Sequence, residues 1–280
     1  MIAFLNGRLL PEEQAVVSVL DRSFLYGDGL FETLLIHRGV PFRWSAHFER
    51  LEQGAELLNI SLPFTAAQLR DFMDQLVRAN EMPEALLRMT LSRGIGPRGY
   101  SPRGANQPVL AMTLHPAPPQ TASPPLWRVI TSSVRLPAGE TLALFKTCNK
   151  LPQVLARAEA EAAGADEALL LNTRGEVVEA SAANLFWITD TAICTSPPAA
   201  GILPGVTRNV VLELCRPMGL ATQEVTATPA DLRHAQGMFL SLSSFGVVEV
   251  VTLDQQPVRS SPLTQSLQRA YSDLLKSECG

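Results

Sequence analysis

The sequence predicts an α+β fold (α/β mixed) divided into two domains. Three observations carry that expectation. Strand-like and helix-like segments are interleaved along the whole chain. A proline-dense stretch interrupts them near the middle. The length of 280 residues, 46% of them hydrophobic and 18% charged, suits one large domain or two modest ones with a substantial core.

Taken in order, Ile2–Leu5, the Asn6-Gly7 turn and Arg8–Leu10 read as a hairpin, because Asn-Gly supplies the positive φ angles of a two-residue turn. His47–Asn59 places Phe48, Leu51, Ala55 and Leu58 at helical spacing. Thr65-Ala66-Ala67-Gln68 is a capping box opening a second helix, with Leu69, Phe72, Met73, Leu76 and Val77 on one face. Leu86–Ser92 and Val109–Leu114 read as strands. Between His115 and Pro125 lie Pro116, Pro118, Pro119, Pro124 and Pro125, which no sheet or helix interior accommodates. The expected division is therefore a smaller α+β domain over 1–115, a linker over 116–125 and a larger, cofactor-binding domain over 126–280.

Beyond the linker, Trp127–Val134 reads as a strand. Pro152–Ala163 reads as a helix, with proline in its first turn and Gly164 past its end. Glu167–Leu171, the Asn172–Gly175 turn and Glu176–Glu179 form a second hairpin, followed by a strand at Asn184–Thr189. A helix is expected over Gly205–Met218, strands over Met238–Leu242 and Val247–Leu253, and a last helix over Pro262–Lys276.

Several function classes fall away on composition. A formal net charge of −4 and scattered arginines give no nucleic-acid footprint. No apolar run reaches the roughly 18 residues that span a bilayer, and Met1–Gly7 lacks the basic and apolar regions of a signal peptide. Cys148, Cys194, Cys215 and Cys279 show no metal-ligand spacing, which fits reduced thiols in the cytoplasm. Among His37, His47, His115 and His234 there is no i,i+4 metal pair, so no metal is expected, and no G-x-S-x-G elbow or P-loop occurs. His47, at the head of a helix, reads as structural.

Gly94-Ile95-Gly96-Pro97-Arg98-Gly99 spells the dinucleotide fingerprint after a strand. That fingerprint needs a helix to begin there, and Pro97 and Pro102 forbid one. A loop is expected instead, and its Arg93, Arg98 and Arg103 could meet an anionic substrate.

Lysine is scarce. Of the 23 basic residues only Lys146, Lys150 and Lys276 are lysines, so amine-based covalent chemistry has few candidates. Lys276 lies in a polar tail and Lys150 beside a helix start. Lys146 follows Leu142-Ala143-Leu144-Phe145, an apolar approach that could desolvate an amine. From the residues alone, a solvated strand-end lysine is the more ordinary reading.

Four segments, in order along the chain, resemble the fold-type IV pyridoxal-phosphate enzymes: branched-chain and D-amino acid aminotransferases and aminodeoxychorismate lyases. They are Asp21–Thr33 with Tyr26-Gly27-Asp28-Gly29, His47-Phe48-Glu49-Arg50-Leu51, Lys146-Thr147-Cys148-Asn149-Lys150-Leu151, and a block from Ala165 through Glu179–Phe186 to Ile202–Arg208. The resemblance implies a two-domain fold-type IV enzyme with pyridoxal 5′-phosphate as cofactor and Lys146 as the catalytic lysine that carries it. It implies Glu179 as the anion beside the pyridine nitrogen, which the residue alone would leave as a half-exposed strand carboxylate. Arg50, Gly205, Val206, Thr207 and Ser243 match the phosphate site, Leu203 packs on the ring, and Asn184 is a positioning candidate. Tyr26, Arg98 and Ser244 match substrate positions. A homodimer with active sites at its interface is implied, the Arg98 loop reaching the neighbour's site.

The shared machinery does not separate the reactions, all of which use the lysine to move protons at the substrate carbon. Ser92-Arg93-Gly94-Ile95-Gly96-Pro97-Arg98-Gly99-Tyr100-Ser101 and Asn184-Leu185-Phe186-Trp187 resemble the lyases, whose small, anionic substrate yields p-aminobenzoate and pyruvate for folate biosynthesis. Leu242 stands where lyases usually have Asn, which favours an aminotransferase acting on D-amino or branched-chain amino acids. A non-catalytic protein that keeps the fold is the third reading.

Overall fold

The structure, a computed structural model, describes residues 1–119 and 124–280. The expected linker therefore falls partly, at 120–123, outside the described residues. The chain forms two compact units. The first comprises Met1–Ala117, Phe145–Asn149 and Leu275–Gly280; the second comprises Pro118–Leu144 and Lys150–Leu274.

In the first unit, β1 (Ile2–Leu5) and β2 (Arg8–Pro11) form a hairpin through Asn6 and Gly7, whose φ angles are 46° and 86°. The helix α1 (Arg22–Tyr26) follows, capped by the Asp21 carboxylate at its N-terminus and ended by Gly27 at φ 68°. Then come β3 (Gly29–His37), β4 (Val40–Pro41), α2 (Trp44–Leu58), α3 (Ala66–Asn80), β5 (Ala85–Ser92) and β6 (Val109–Pro116). The six strands lie in the order β2-β1-β6-β5-β3-β4 and pair antiparallel. Leu87, Met89 and Leu91 alternate with polar residues on β5, and Leu110, Met112 and Leu114 line the buried face of β6. This apolar set packs with Leu51 and Ala55 of α2 and with Leu69, Met73 and Leu76 of α3. Each leucine or methionine of this set, once buried, stabilises the unit by about 1.5–3 kcal/mol. Thr65 and Gln68 make the expected reciprocal cap at the start of α3.

In the second unit, β7 (Leu126–Leu136) is followed by α4 (Leu151–Ala162), β8 (Glu167–Asn172), β9 (Val177–Ala180), β10 (Asn184–Ile188) and β11 (Ile193–Thr195). Then come α5 (Val206–Cys215), β12 (Thr222–Glu224), α6 (Pro229–Leu232), β13 (Gly237–Leu242), β14 (Gly246–Leu253), β15 (Gln256–Pro257) and α7 (Pro262–Glu278). The mixed sheet runs β12-β11-β10-β13-β14-β7-β8-β9, with β15 on β14. Here α5 stops at Cys215, three residues short of the sequence expectation, because Pro217 cannot donate to the helix.

The strand β3 is absent from the sequence expectation. Its Gly29–His37 stretch is buried on both faces apart from a half-buried Thr33, so it shows no polar–apolar alternation, and Glu32 interrupts the apolar run.

Candidate active site

The site residues expected from the sequence fall into two groups, one in each unit. In the first unit, β4 pairs only with Ile36 and His37 of β3, so the start of β3 is available to another partner. Residues 146–148 take that place. The Phe31 N–H donates to the Lys146 carbonyl and the Cys148 N–H to the Gly29 carbonyl, both at 2.9 Å, with Leu30 bridged to Thr147. The apolar approach read from the sequence ends in Phe145 packed against the core of this unit. Backbone pairing thereby fixes the lysine, a half-buried residue whose Nζ lies 4.7 Å from the centroid of the Phe31 ring. The Arg88 guanidinium lies over the same ring at 3.9 Å. Burial pushes the Arg88 guanidinium down from its ordinary value, opposed by the Cys148 sulfur.

Arg50 comes from α2, where Glu32 of β3 meets it through two hydrogen bonds of 2.8 Å, Nε to Oε1 and Nη2 to Oε2. The buried His47 ring nitrogen Nδ1 is 2.7 Å from Glu32 Oε2. Burial pushes the Glu32 carboxyl up, but the Arg50 charge and hydrogen bond, joined by His47, outweigh it and hold the group at about 2. For His47, burial outweighs the pull of Glu32, so the ring is pushed down and is neutral near pH 7. A neutral ring next to an ionised carboxylate donates from Nδ1. Glu32 and His47 are not among the residues expected at the site from the sequence, where the signal available is a lone carboxylate inside an apolar run.

The loop from 93 to 108 starts no helix, as Pro97 and Pro102 require. Arg98 and Arg103 are exposed on it, whereas Arg93 is not available to a substrate. Its Nε donates to Asp28, and its Nη1 and Nη2 donate to the carbonyls of Asn59 and Leu58 at the end of α2. A guanidinium there complements the negative end of the helix dipole. The Tyr26 hydroxyl accepts the Gly99 N–H at 3.2 Å.

In the second unit, Glu179 projects from β9. Its Oε2 accepts the Leu203 N–H at 2.9 Å and Asn184 Nδ2 at 3.1 Å. Asn184 Nδ2 also donates to the Leu203 carbonyl at 2.8 Å, so one amide ties the carboxylate to the turn before α5. Gly205 precedes α5 with no side-chain cap, and Val206 and Thr207 are buried in its first turn. A Cβ on Gly205 would come within 2.1 Å of Asn184 Oδ1, so only glycine leaves that turn its present shape. Ser243 and Ser244 are half-buried in the turn between β13 and β14. Lys150 stands at the start of α4 without capping it.

These donors fit a pyridine phosphate. The N-terminus of the ten-residue α5 offers amides and a hydroxyl to a dianion, and Glu179 is held as an acceptor. Among the described residues no His, Cys, Asp or Glu cluster could hold a metal ion.

A family model described as amino-transferase class IV matches residues 29–253. The chain belongs to this family. Class IV aminotransferases use pyridoxal 5′-phosphate, and this chain is a pyridoxal-phosphate-dependent enzyme of that fold. It is 32% identical over 277 residues, 98% of its length and 96% of the relative's, to the Methanocaldococcus jannaschii protein named "Putative branched-chain-amino-acid aminotransferase". It is 33% identical over 243 residues, 85% of its length and 87% of the relative's, to the aminodeoxychorismate lyase of Vibrio harveyi. Among solved structures, the branched-chain aminotransferase of Thermoproteus uzoniensis, crystallised with norvaline, superposes with a TM-score of 0.92. The two share 28% identity, over 99% of this chain and 95% of that one. The mixed α/β architecture expected from the sequence is thus that of class IV aminotransferases.

Proposed function

We propose that this class IV enzyme converts 4-amino-4-deoxychorismate to p-aminobenzoate and pyruvate. The observation that carries the reading is the Ser92–Ser101 loop, which resembles the lyases in sequence and holds Arg98 exposed on a fixed backbone. A substrate with two carboxylates calls for guanidinium partners; with Arg98 coming from the neighbouring subunit, Arg88, over the same Phe31 ring as Lys146, is the second cation and belongs to the subunit whose lysine acts.

When bound, the cofactor withdraws electrons from the substrate carbon next to nitrogen. Lys146 would carry the cofactor and would then take the proton from that carbon as the ring C–O bond to the enolpyruvyl group breaks, the proton going to the departing enolpyruvate to give pyruvate. Glu179, fixed by Asn184 and the Leu203 amide, is the acceptor that would meet the pyridine nitrogen and keep its proton in place. Arg50 of the first unit, and in the second the amides of Gly205 and Val206, Thr207 and Ser243, are the groups that would hold the phosphate. Leu203 would pack on the ring, and Tyr26 and Ser244 would border the substrate.

A specific observation favours an aminotransferase as the second reading. Leu242, partly buried and packed on the apolar core of the second unit, leaves no amide where lyases usually carry Asn. The assay that decides supplies aminodeoxychorismate and follows p-aminobenzoate and pyruvate together. Equal release of both supports the lyase. Neither product, with D- or branched-chain amino acids converting the cofactor to its pyridoxamine form, rejects the lyase for the aminotransferase.

The enzyme is proposed to be a cytoplasmic homodimer, with active sites at the subunit interface and the Arg98 loop serving the neighbouring subunit. Exposed Val16, Val19 and Phe24 in the first unit and Leu151, Val154 and Leu155 in the second support a self-association surface. Light scattering that finds an active monomer would remove that part of the proposal. No helix among the described residues is long and apolar enough to cross a membrane.

A further inference from the structure

Arg98 depends for its aim on the backbone that carries it, and that backbone is held by a buried arginine. Arg22 of α1 is 3% exposed. Its Nη1 donates to the carbonyls of Gly99 at 2.9 Å and Ser101 at 3.2 Å, and its Nη2 donates to that of Tyr100 at 3.1 Å. Its Nε donates to Asp28 Oδ2 at 2.8 Å. A buried guanidinium is unfavourable unless its donors are used, and here each nitrogen has an acceptor.

The surroundings reinforce the grip. Asp28 Oδ2 also accepts from Arg93, which is anchored in turn on the end of α2. The Gly99 N–H reaches the Tyr26 hydroxyl, and the Tyr100 ring meets the Tyr26 ring edge-on at 5.6 Å. A Cβ on Gly96 would come within 2.9 Å of Arg22 Cδ, so the loop lies tight against the stem of this side chain. Gly99, the residue that follows Arg98, is therefore held at both its N–H and its C=O.

We propose that Arg22, locked by Asp28, is the positioning residue of the substrate loop: it fixes Gly99–Ser101 and thereby aims Arg98, setting affinity for anionic substrates. The inference rests on Arg98 being a carboxylate partner. Lysine cannot replace Arg22, because one ammonium lacks the fork that reaches three successive carbonyls and a carboxylate together.

The test uses the cofactor-loaded full-length enzyme and two readouts: tryptic cleavage after Arg98 and Arg103, and the succinate concentration that half-saturates the shift in cofactor absorbance. Cleavage follows the open population of the loop. Arg22→Gln should be cut at least tenfold faster at both bonds and need at least tenfold more succinate, with cofactor content unchanged. Arg22→Lys should stay fast to cleave, whereas rescue by lysine would contradict the fork argument. Should Arg22→Gln not fold, Arg22→Lys, which keeps a cation beside Asp28, takes its place and is judged by the same two readouts.

Unchanged cleavage and unchanged succinate binding in Arg22→Gln or its substitute would overturn the proposal. Arg98→Gln separates the two layers. If it weakens succinate while Arg22→Gln does not, the positioning role falls alone. If Arg98→Gln has no effect although Arg22→Gln loosens the loop, the carboxylate reading of Arg98 falls, and the affinity role of Arg22 with it.

Discussion

Arg50, its side chain 10% exposed, donates two parallel 2.8 Å hydrogen bonds to the Glu32 carboxylate, which is only 1% exposed. The pair joins strand β3 to helix α2 and fixes the guanidinium that is proposed to meet the cofactor phosphate. A buried pair is expensive to break from one side, because the remaining charge is left uncompensated. Glu32→Gln should lower the unfolding free energy by about 3–5 kcal/mol. Urea unfolding of the cofactor-free protein measures this, and a loss below about 1 kcal/mol would show that the pair is not holding the helix to the sheet.

Acid should unfold the first unit in two stages of the same sign. The Glu32 carboxyl is at about 2 when folded against 4.5 when free. The unfolded chain therefore binds more protons in that interval, and stability present above pH 4.5 is lost as pH falls toward 2. That loss is worth about 3 kcal/mol. His47 is also pushed below its ordinary 6.5, so its contribution is complete above pH 6.5 and declines on acidification. Urea midpoints from about pH 8 to about pH 3 should be level above 6.5 and fall below it. Glu32→Gln should flatten the part below pH 4.5, and a midpoint independent of pH would contradict both assignments.

Gly205→Ala tests the cradle before α5. The added carbon would sit 2.1 Å from Asn184 Oδ1, so either the turn or the amide must move. Because Asn184 also holds Glu179 and the Leu203 carbonyl, the change should raise the dissociation constant for pyridoxal phosphate at least tenfold. Fluorescence titration of the apoenzyme with the cofactor reads the effect directly, and unchanged affinity would place the phosphate elsewhere.

Glu179→Gln should leave the cofactor bound while reducing turnover at least a hundredfold, the scale of removing one preorganised electrostatic partner. The carboxylate is held by the Leu203 amide and Asn184 from within its own unit. Cofactor stoichiometry measured alongside kcat distinguishes this from simple loss of cofactor. Full turnover with glutamine would remove Glu179 from the chemistry.

Much of the architecture is legible in the sequence because local chemistry decides it. The Asn6-Gly7 turn, the Thr65–Gln68 cap and the alternation in β5 each follow from a few neighbouring residues. What stays hidden depends on partners distant in sequence. Glu32 meets Arg50 across 18 residues, and Arg22 meets Gly99 across 77, and no periodicity encodes such pairs. The segment Phe145–Asn149 follows the proline-rich stretch yet belongs to the first unit, because the start of β3, beyond the reach of β4, accepts it. The Lys146, Glu179 and Gly205 assignments come from motif resemblance; the backbone pairing and hydrogen bonds around them account for where each residue is held.

The central claim is that Lys146 carries the cofactor. Borohydride reduction of the yellow holoenzyme, followed by proteolysis and mass spectrometry, tests it most directly. The account predicts one phosphopyridoxyl group per chain, on the peptide containing Lys146, and none in Lys146→Ala. Label on Lys150 or Lys276, or continued labelling of Lys146→Ala, would contradict it.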